Sequence, residues 1–131
     1  MCDDRRVSAP PCLWLTTLRR DGSPHTTPVW FVRDADLVWI ATSRDAVKTR
    51  NLEHDPRVSL ALDGSAADPT VGEGRAVVHD LSGPRGREAH AAVLAAFAER
   101  YDGWDAADPS RYGARVLVEV VVERWLLRSD A

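Results

Sequence analysis

The sequence predicts a β-dominated α+β chain: an antiparallel six-stranded barrel with helices at its margins. Three observations carry that expectation. Six runs are β-prone, either alternating apolar and polar residues or continuously apolar. Turn and breaker residues fall between them, notably Asp21-Gly22, the segment 34–36 and Asp55-Pro56. Only two stretches change to a helical period, too few for an alternating β/α architecture.

The first strand is 12–18, CLWLTTL, and Asp21-Gly22 turns it into a second, 25–33, HTTPVWFVR. Pro28 offers no ladder N–H, so this second strand belongs at an edge, or is bulged near Pro28. The triplet 34–36 turns into a third strand, 37–43, giving a meander. Residues 44–55, RDAVKTRNLEHD, then read as a short helix of about ten residues, with Val47 and Leu52 inward and Ser43 or Asp45 as N-cap. Asp55-Pro56 stops it. The alternation of Val58, Leu60 and Leu62 makes 57–63 a strand. The run 71–81 is another, in which Gly72 and Gly74 predict a bulge or a close backbone approach. The main helix is placed at 85–101, its buried stripe formed by Ala89, Val93, Phe97 and Tyr101. A polar loop leads to the closing strand, 114–127. With no internal repeat and no linker, 131 residues suit one domain, 1–131, with 1–11 a flexible N-terminal segment.

Composition excludes several function classes. A net charge of -3 argues against general nucleic-acid binding. No run approaches the roughly 18 apolar residues of a membrane span, and the first residues lack the apolar core of a signal peptide, so the expected location is the cytoplasm. Two cysteines are too few for a disulfide framework; Cys12 reads as a small core residue and Cys2 as part of a frayed end. His25, His54, His79 and His90 are scattered, without the spacing of a metal set. No nucleophilic triad is suggested, and Gly72-x-Gly74 lacks the third glycine and following helix of a dinucleotide fingerprint. Each of the five tryptophans, taken singly, reads as core or interface packing.

One cluster resists such readings. Lys48 is the only lysine of a chain with 17 lysines and arginines. It lies near the start of the short helix with Thr42, Ser43, Arg44 and Arg50. A helix N-terminus offers free N–H groups and partial positive charge, the hydroxyls add donors, and the cations can grip oxygens. That set suits a phosphate. A solvated basic face paired with Asp45 and Glu53 explains the same spacing equally well.

The segments TTLRRDGSPHTTPVWFV, LVWIATSRDAVKTRNLEHDPRVSLAL and VGEGRAVV resemble the pyridoxamine 5′-phosphate oxidase-like split β-barrel superfamily. Within it they are most similar to the coenzyme F420-dependent, deazaflavin-dependent oxidoreductases; KTRNLEHDPRVSL is the most specific block, and RYGARVLVEVVVERWL fits the closing strand. The resemblance covers about 13–125. It implies a six-stranded split barrel that forms a homodimer, with a flavin or deazaflavin between subunits. By the family motif, Thr42 and Ser43 match strand-end donors and Lys48 the phosphate lysine. Arg50 and Asn51 fall in the same block, and Pro28, Val29 and Trp30 match the strand beside the ring system. The implied activity is hydride transfer from reduced coenzyme F420 to an electron-poor small molecule. FMN is the alternative cofactor, and a non-catalytic flavin-, haem- or small-molecule-binding protein the alternative class. No catalytic acid is assigned; Tyr112 is one candidate proton donor. The N-terminus departs from the pattern: about a dozen residues precede the first strand, where many relatives carry a longer helix.

Overall fold

The structure, a computed structural model, describes residues 12–62, 66–67 and 69–127. The flexible segment assigned to 1–11 and the reading of Cys2 lie outside the described residues. The elements in chain order are β1 (Leu13–Leu18), β2 (Pro24–Val29), β3 (Phe31–Asp34), β4 (Leu37–Ser43), α1 (Val47–His54), β5 (Arg57–Leu62), β6 (Val71–Asp80), α2 (Gly83–Ala89), α3 (Ala91–Arg100) and β7 (Arg115–Leu127).

The strands form one antiparallel sheet of seven, not the expected six, in the order β2-β1-β5-β6-β7-β4-β3. The extra strand comes from the stretch 25–33, which is broken at Trp30. Its first half pairs with β1, with Pro28 opposite Trp14, and its second half pairs with β4. The halves therefore lie at opposite edges. Laid flat, seven strands spaced ~4.8 Å apart would hold their edges ~29 Å from one another. A single connecting residue advances the chain by at most ~3.6 Å. The sheet must therefore curl until its edges meet at Trp30, and covalent chain rather than a ladder joins them. Tyr101, just after α3, does locally what a neighbouring strand would do. Its hydroxyl accepts the Phe31 N–H at 2.9 Å and donates to the Phe31 carbonyl at 2.9 Å.

Inside the curl, Leu13, Leu15, Ile40, Leu60 and Val118 form the main apolar core; on the other face Leu117 packs with Phe97, Tyr101 and Leu81. The Asp21-Gly22 turn forms as expected. Gly22 holds a φ of 85° and donates its N–H to the Arg19 carbonyl, while Asp21 Oδ1 accepts from Ser23. Register shifts at Val71/Gly72 and Glu73/Gly74 realise the predicted bulge. A Cβ at Gly74 would run into the Val121 carbonyl.

Three expectations are corrected. The main helix is two helices, broken at His90, whose φ of -119° and ψ of 26° leave the helical range. Phe97 and Tyr101 remain buried, but Ala89 lies before the break and is exposed. In α1, Leu52 is buried while Val47 is exposed rather than inward. Cys12 is buried as expected, but it is disulfide-bonded rather than a free core thiol.

Candidate functional site

The site is made where β4 ends and α1 begins. Arg44 N–H donates to the Ala114 carbonyl, tying this corner to the approach to β7. The buried Thr49 hydroxyl donates to the Ser43 carbonyl at 2.7 Å. Neither Ser43 nor Asp45 caps α1: the N-cap is Ala46, with no side-chain cap bond. The first-turn N–H groups of Val47 and Lys48 consequently have no hydrogen-bond partner among the described residues.

Beside this corner lies a cavity of about 380 Å³. It is lined by Thr42, Ser43, Lys48, Tyr112 and Arg115 together with Pro28, Val29, Trp30 and Trp104, and the Arg115 guanidinium lies 5.8 Å from the Trp104 ring centroid. Six of the eight residues expected at the cofactor site thus share one cavity. The other two do not join it. Asn51 is buried and donates from Nδ2 to Thr17 Oγ1 at 3.0 Å, which fixes α1 to β1. Arg50 is exposed and borders a separate cavity with Arg19, Arg20 and His54.

Two cations line the cavity. Lys48 is half-buried, and burial pushes its ammonium pKa down, with the Arg115 charge acting in the same direction. Arg115 is only 8% exposed. Its Nε donates to the Ala106 carbonyl at 3.1 Å and its Nη1 to Ser43 Oγ at 3.3 Å. Ser43 in turn donates to the Tyr112 carbonyl at 3.1 Å. Neither cation pairs with a carboxylate among the described residues, although ion pairs form elsewhere, as between Arg44 and Glu53 at 3.2 Å.

The aromatic residues of the lining pack on one another. Trp30 stacks on Tyr101 at 4.5 Å between ring centroids, and Trp104 meets Trp30 edge-on at 5.0 Å. Trp30 Nε1 is buried without a partner, as are His25 Nδ1 and Thr27 Oγ1 on the adjoining β2. His25 has its pKa lowered by burial, then by Arg19 and Lys48. Trp30 and Trp104 were expected, taken singly, to pack a core or an interface; together they wall a cavity. Sequence reasoning missed Trp104, Ala46 and above all Arg115. The available signal for Arg115 was a lone charge opening the apolar run VLV.

The chain matches the family described as pyridoxamine 5′-phosphate oxidase over residues 4–129. It belongs to that family. A conserved hypothetical protein, Rv2991 from Mycobacterium tuberculosis, is 32% identical, with 91% of this chain and 77% of that one covered and a TM-score of 0.68. Two further solved structures share the fold. An F420 reductase is 22% identical over 88% of this chain and 89% of its own, with a TM-score of 0.66. HutZ, a haem storage protein from Vibrio cholerae, is 20% identical over 88% and 84%, with a TM-score of 0.70. No protein of curated function matches the chain. This pyridoxamine 5′-phosphate oxidase family member therefore has structural neighbours named for a reductase and for haem storage.

The donor set fits a phosphate-bearing flavin or deazaflavin. Two cations and the Thr42, Ser43 and Tyr112 hydroxyls line one cavity together with the indoles of Trp30 and Trp104. Such a combination suits an anion carried by a planar, largely apolar ring.

Proposed function

We propose that this protein is an oxidoreductase whose cavity binds coenzyme F420 and acts on an electron-poor small organic molecule. The observation that carries the reading is the lining of the cavity, where the cations Lys48 and Arg115 and the Ser43 hydroxyl share one space with Trp30 and Trp104. When bound, the reduced cofactor supplies a hydride to the substrate. The protein's part is to hold and orient. Lys48 and the first-turn N–H groups of α1 take the phosphate, with the Thr42 and Ser43 hydroxyls beside them. Pro28, Val29 and Trp30 flank the ring and exclude water. The Tyr112 phenol, at the cavity and 66% exposed, holds a proton that the reduced substrate can take.

The site works as a homodimer in this reading, because the cavity opens to solvent at the exposed Tyr112 and a second subunit would cover it. FMN is the competing cofactor, supported by the same phosphate-binding donors. A non-catalytic binding protein is the competing class, supported by the absence of any histidine or carboxylate among the described cavity-lining residues.

The deciding experiment mixes the purified protein separately with the deazaflavin and with FMN, and records the absorption spectrum and mass of the retained cofactor. Retention of the deazaflavin supports the reading. Retention of FMN alone replaces the cofactor, and retention of neither overturns the enzyme assignment.

A further inference from the structure

A second cluster lies away from the cavity, where the break between α2 and α3 meets the sheet. His79 of β6 and Glu119 of β7 share a hydrogen bond of 2.7 Å between Nε2 and Oε1. The His90 imidazole, at the break itself, lies 4.9 Å from the His79 ring, centroid to centroid. Trp39 of β4 faces both rings, at 5.8 Å from His79 and 5.7 Å from His90. The helix before the break is lightly held, for none of the seven residues of α2 is buried. Its Arg87 donates to both carboxylate oxygens of Asp105, at 2.9 Å and 3.3 Å. Asp105 also accepts from the Ala107 N–H and adjoins Trp104, which lines the cavity. The charged groups acting on His90 come from β6, as His79, and from β7, as Glu119, while β4 presents the uncharged Trp39.

Glu119 can balance one protonated imidazole but not two. A proton on His90 beside a protonated His79 sets two like charges against each other in a partly desolvated contact. Burial, and then His79, holds the His90 pKa below the ordinary 6.5, against the pull of Glu119. We infer that His79 and His90 form an acid-sensitive latch: protonation of His90 drives the α2–α3 junction off the sheet and, through Arg87 and Asp105, loosens the Trp104 side of the cavity. A histidine that binds its proton more weakly when packed stays packed at high pH. It is released as the pH falls from 6.5 through its lower folded value. Over that interval the released fraction grows by up to about tenfold per pH unit. The latch works in the same way whichever ligand the cavity takes.

The test places 5-fluorotryptophan in the full chain and follows the fluorine NMR lines against pH, with the His90 ring titration read in parallel. Trp104→Phe and Trp14→Phe assign the two lines that matter. Trp104 packs on Trp30, Phe97 and Tyr101 and not on either histidine, so its line reports the linked loosening rather than the protonation itself. Trp14, on β1, is the control. The Trp104 line should move along a one-proton curve below 6.5 that coincides with the His90 titration, while the Trp14 line stays in place. His90→Gln should abolish the movement. Glu119→Gln should bring it to higher pH, because the one balancing charge is gone. A Trp104 line that stays still overturns the latch, as does one that moves only together with Trp14 as the whole chain unfolds. An unchanged Trp104 curve in folded His90→Gln, or a curve moved to lower pH in folded Glu119→Gln, overturns it too. The wild-type curves require no variant of the latch, so they decide even if neither substituted chain folds.

Discussion

At the scale of single residues, Lys48 and Tyr101 play different parts and fail in different ways. Lys48 is half-buried with no carboxylate partner among the described residues, so the fold they form does not depend on its charge. Lys48→Ala should weaken binding of whichever cofactor the protein takes by about 1.5–3 kcal/mol, or roughly ten- to a hundredfold. Stability should move by less than about 0.5 kcal/mol. Lys48→Arg should recover part of the affinity, because a planar fork does not reproduce a compact ammonium. Fluorescence titration of each variant measures this, and unchanged dissociation constants would remove the phosphate role. Tyr101 is the opposite case. Its buried hydroxyl serves both the N–H and the carbonyl of Phe31. Tyr101→Phe leaves those groups unpaired where the sheet's edges meet, at a cost of about 1–3 kcal/mol. The urea midpoint should fall with an unchanged slope.

Titration belongs to the same scale. His25 and His90 both have pKa values lowered from the ordinary 6.5, chiefly by burial. Arg19 and Lys48 add to the effect at His25, and His79 adds to it at His90, where Glu119 opposes it. A depressed histidine binds fewer protons folded than unfolded. Their contribution is therefore neutral above 6.5, and stability declines as the pH falls from 6.5 through the lower folded values. Denaturation midpoints across this range should show the decline, and His25→Gln with His90→Gln should shallow it. A wild-type profile that is flat below 6.5 would contradict the shifts.

At the scale of elements, local pattern made β1, β4, β5, β6, β7 and the Asp21-Gly22 turn readable, because each is set by neighbours close in sequence. The bulge was readable for the same reason: Gly72 and Gly74 mark it, and at Gly74 a Cβ would meet the Val121 backbone. What stayed hidden was decided at a distance. Trp30 divides a β-prone run only because the sheet curls and Tyr101, 70 residues beyond Phe31, replaces a ladder partner. His90 breaks a helix that periodicity continues through. Nothing in the described residues accounts for the break itself, but α2 starts close on the end of β6, where a Cβ on Gly86 would come within 2.7 Å of the Asp80 carbonyl oxygen. Gly86→Ala should therefore destabilise by about 1–3 kcal/mol as an overpacked contact, although alanine is the better helix former. A thermal melt showing a gain would mean that α2 can lift away freely. The candidate site was legible along one segment, from Thr42 to Lys48, and through the Pro28–Trp30 strand. Arg115 was not, because only pairing of β4 with β7 brings Ser43 opposite Arg115.

At the scale of the whole molecule, the curled sheet leaves surfaces that one subunit does not cover. Trp14 is 45% exposed and Val121 47%, and Tyr112 stands 66% exposed at the cavity. β2 and β3 are both sheet edges, and at β3 the Tyr101 hydroxyl already serves the Phe31 N–H and carbonyl. A flat ring bound beside Trp30 in the cavity would still face solvent on the Tyr112 side. A second copy of the chain would bury these apolar groups and shut water out of the site, so dimerisation and cofactor binding should be coupled. Sedimentation at micromolar concentration should therefore give twice the 14.5 kDa chain mass. Adding the cofactor that the protein retains should lower the concentration at which the dimer dissociates, since a ligand that binds the dimer preferentially stabilises it by mass action. Tyr112→Ala should weaken this coupling more than it weakens folding, because an exposed side chain contributes little to the isolated subunit. A monomer at every concentration, with cofactor bound at full affinity, would show that one subunit closes the cavity alone.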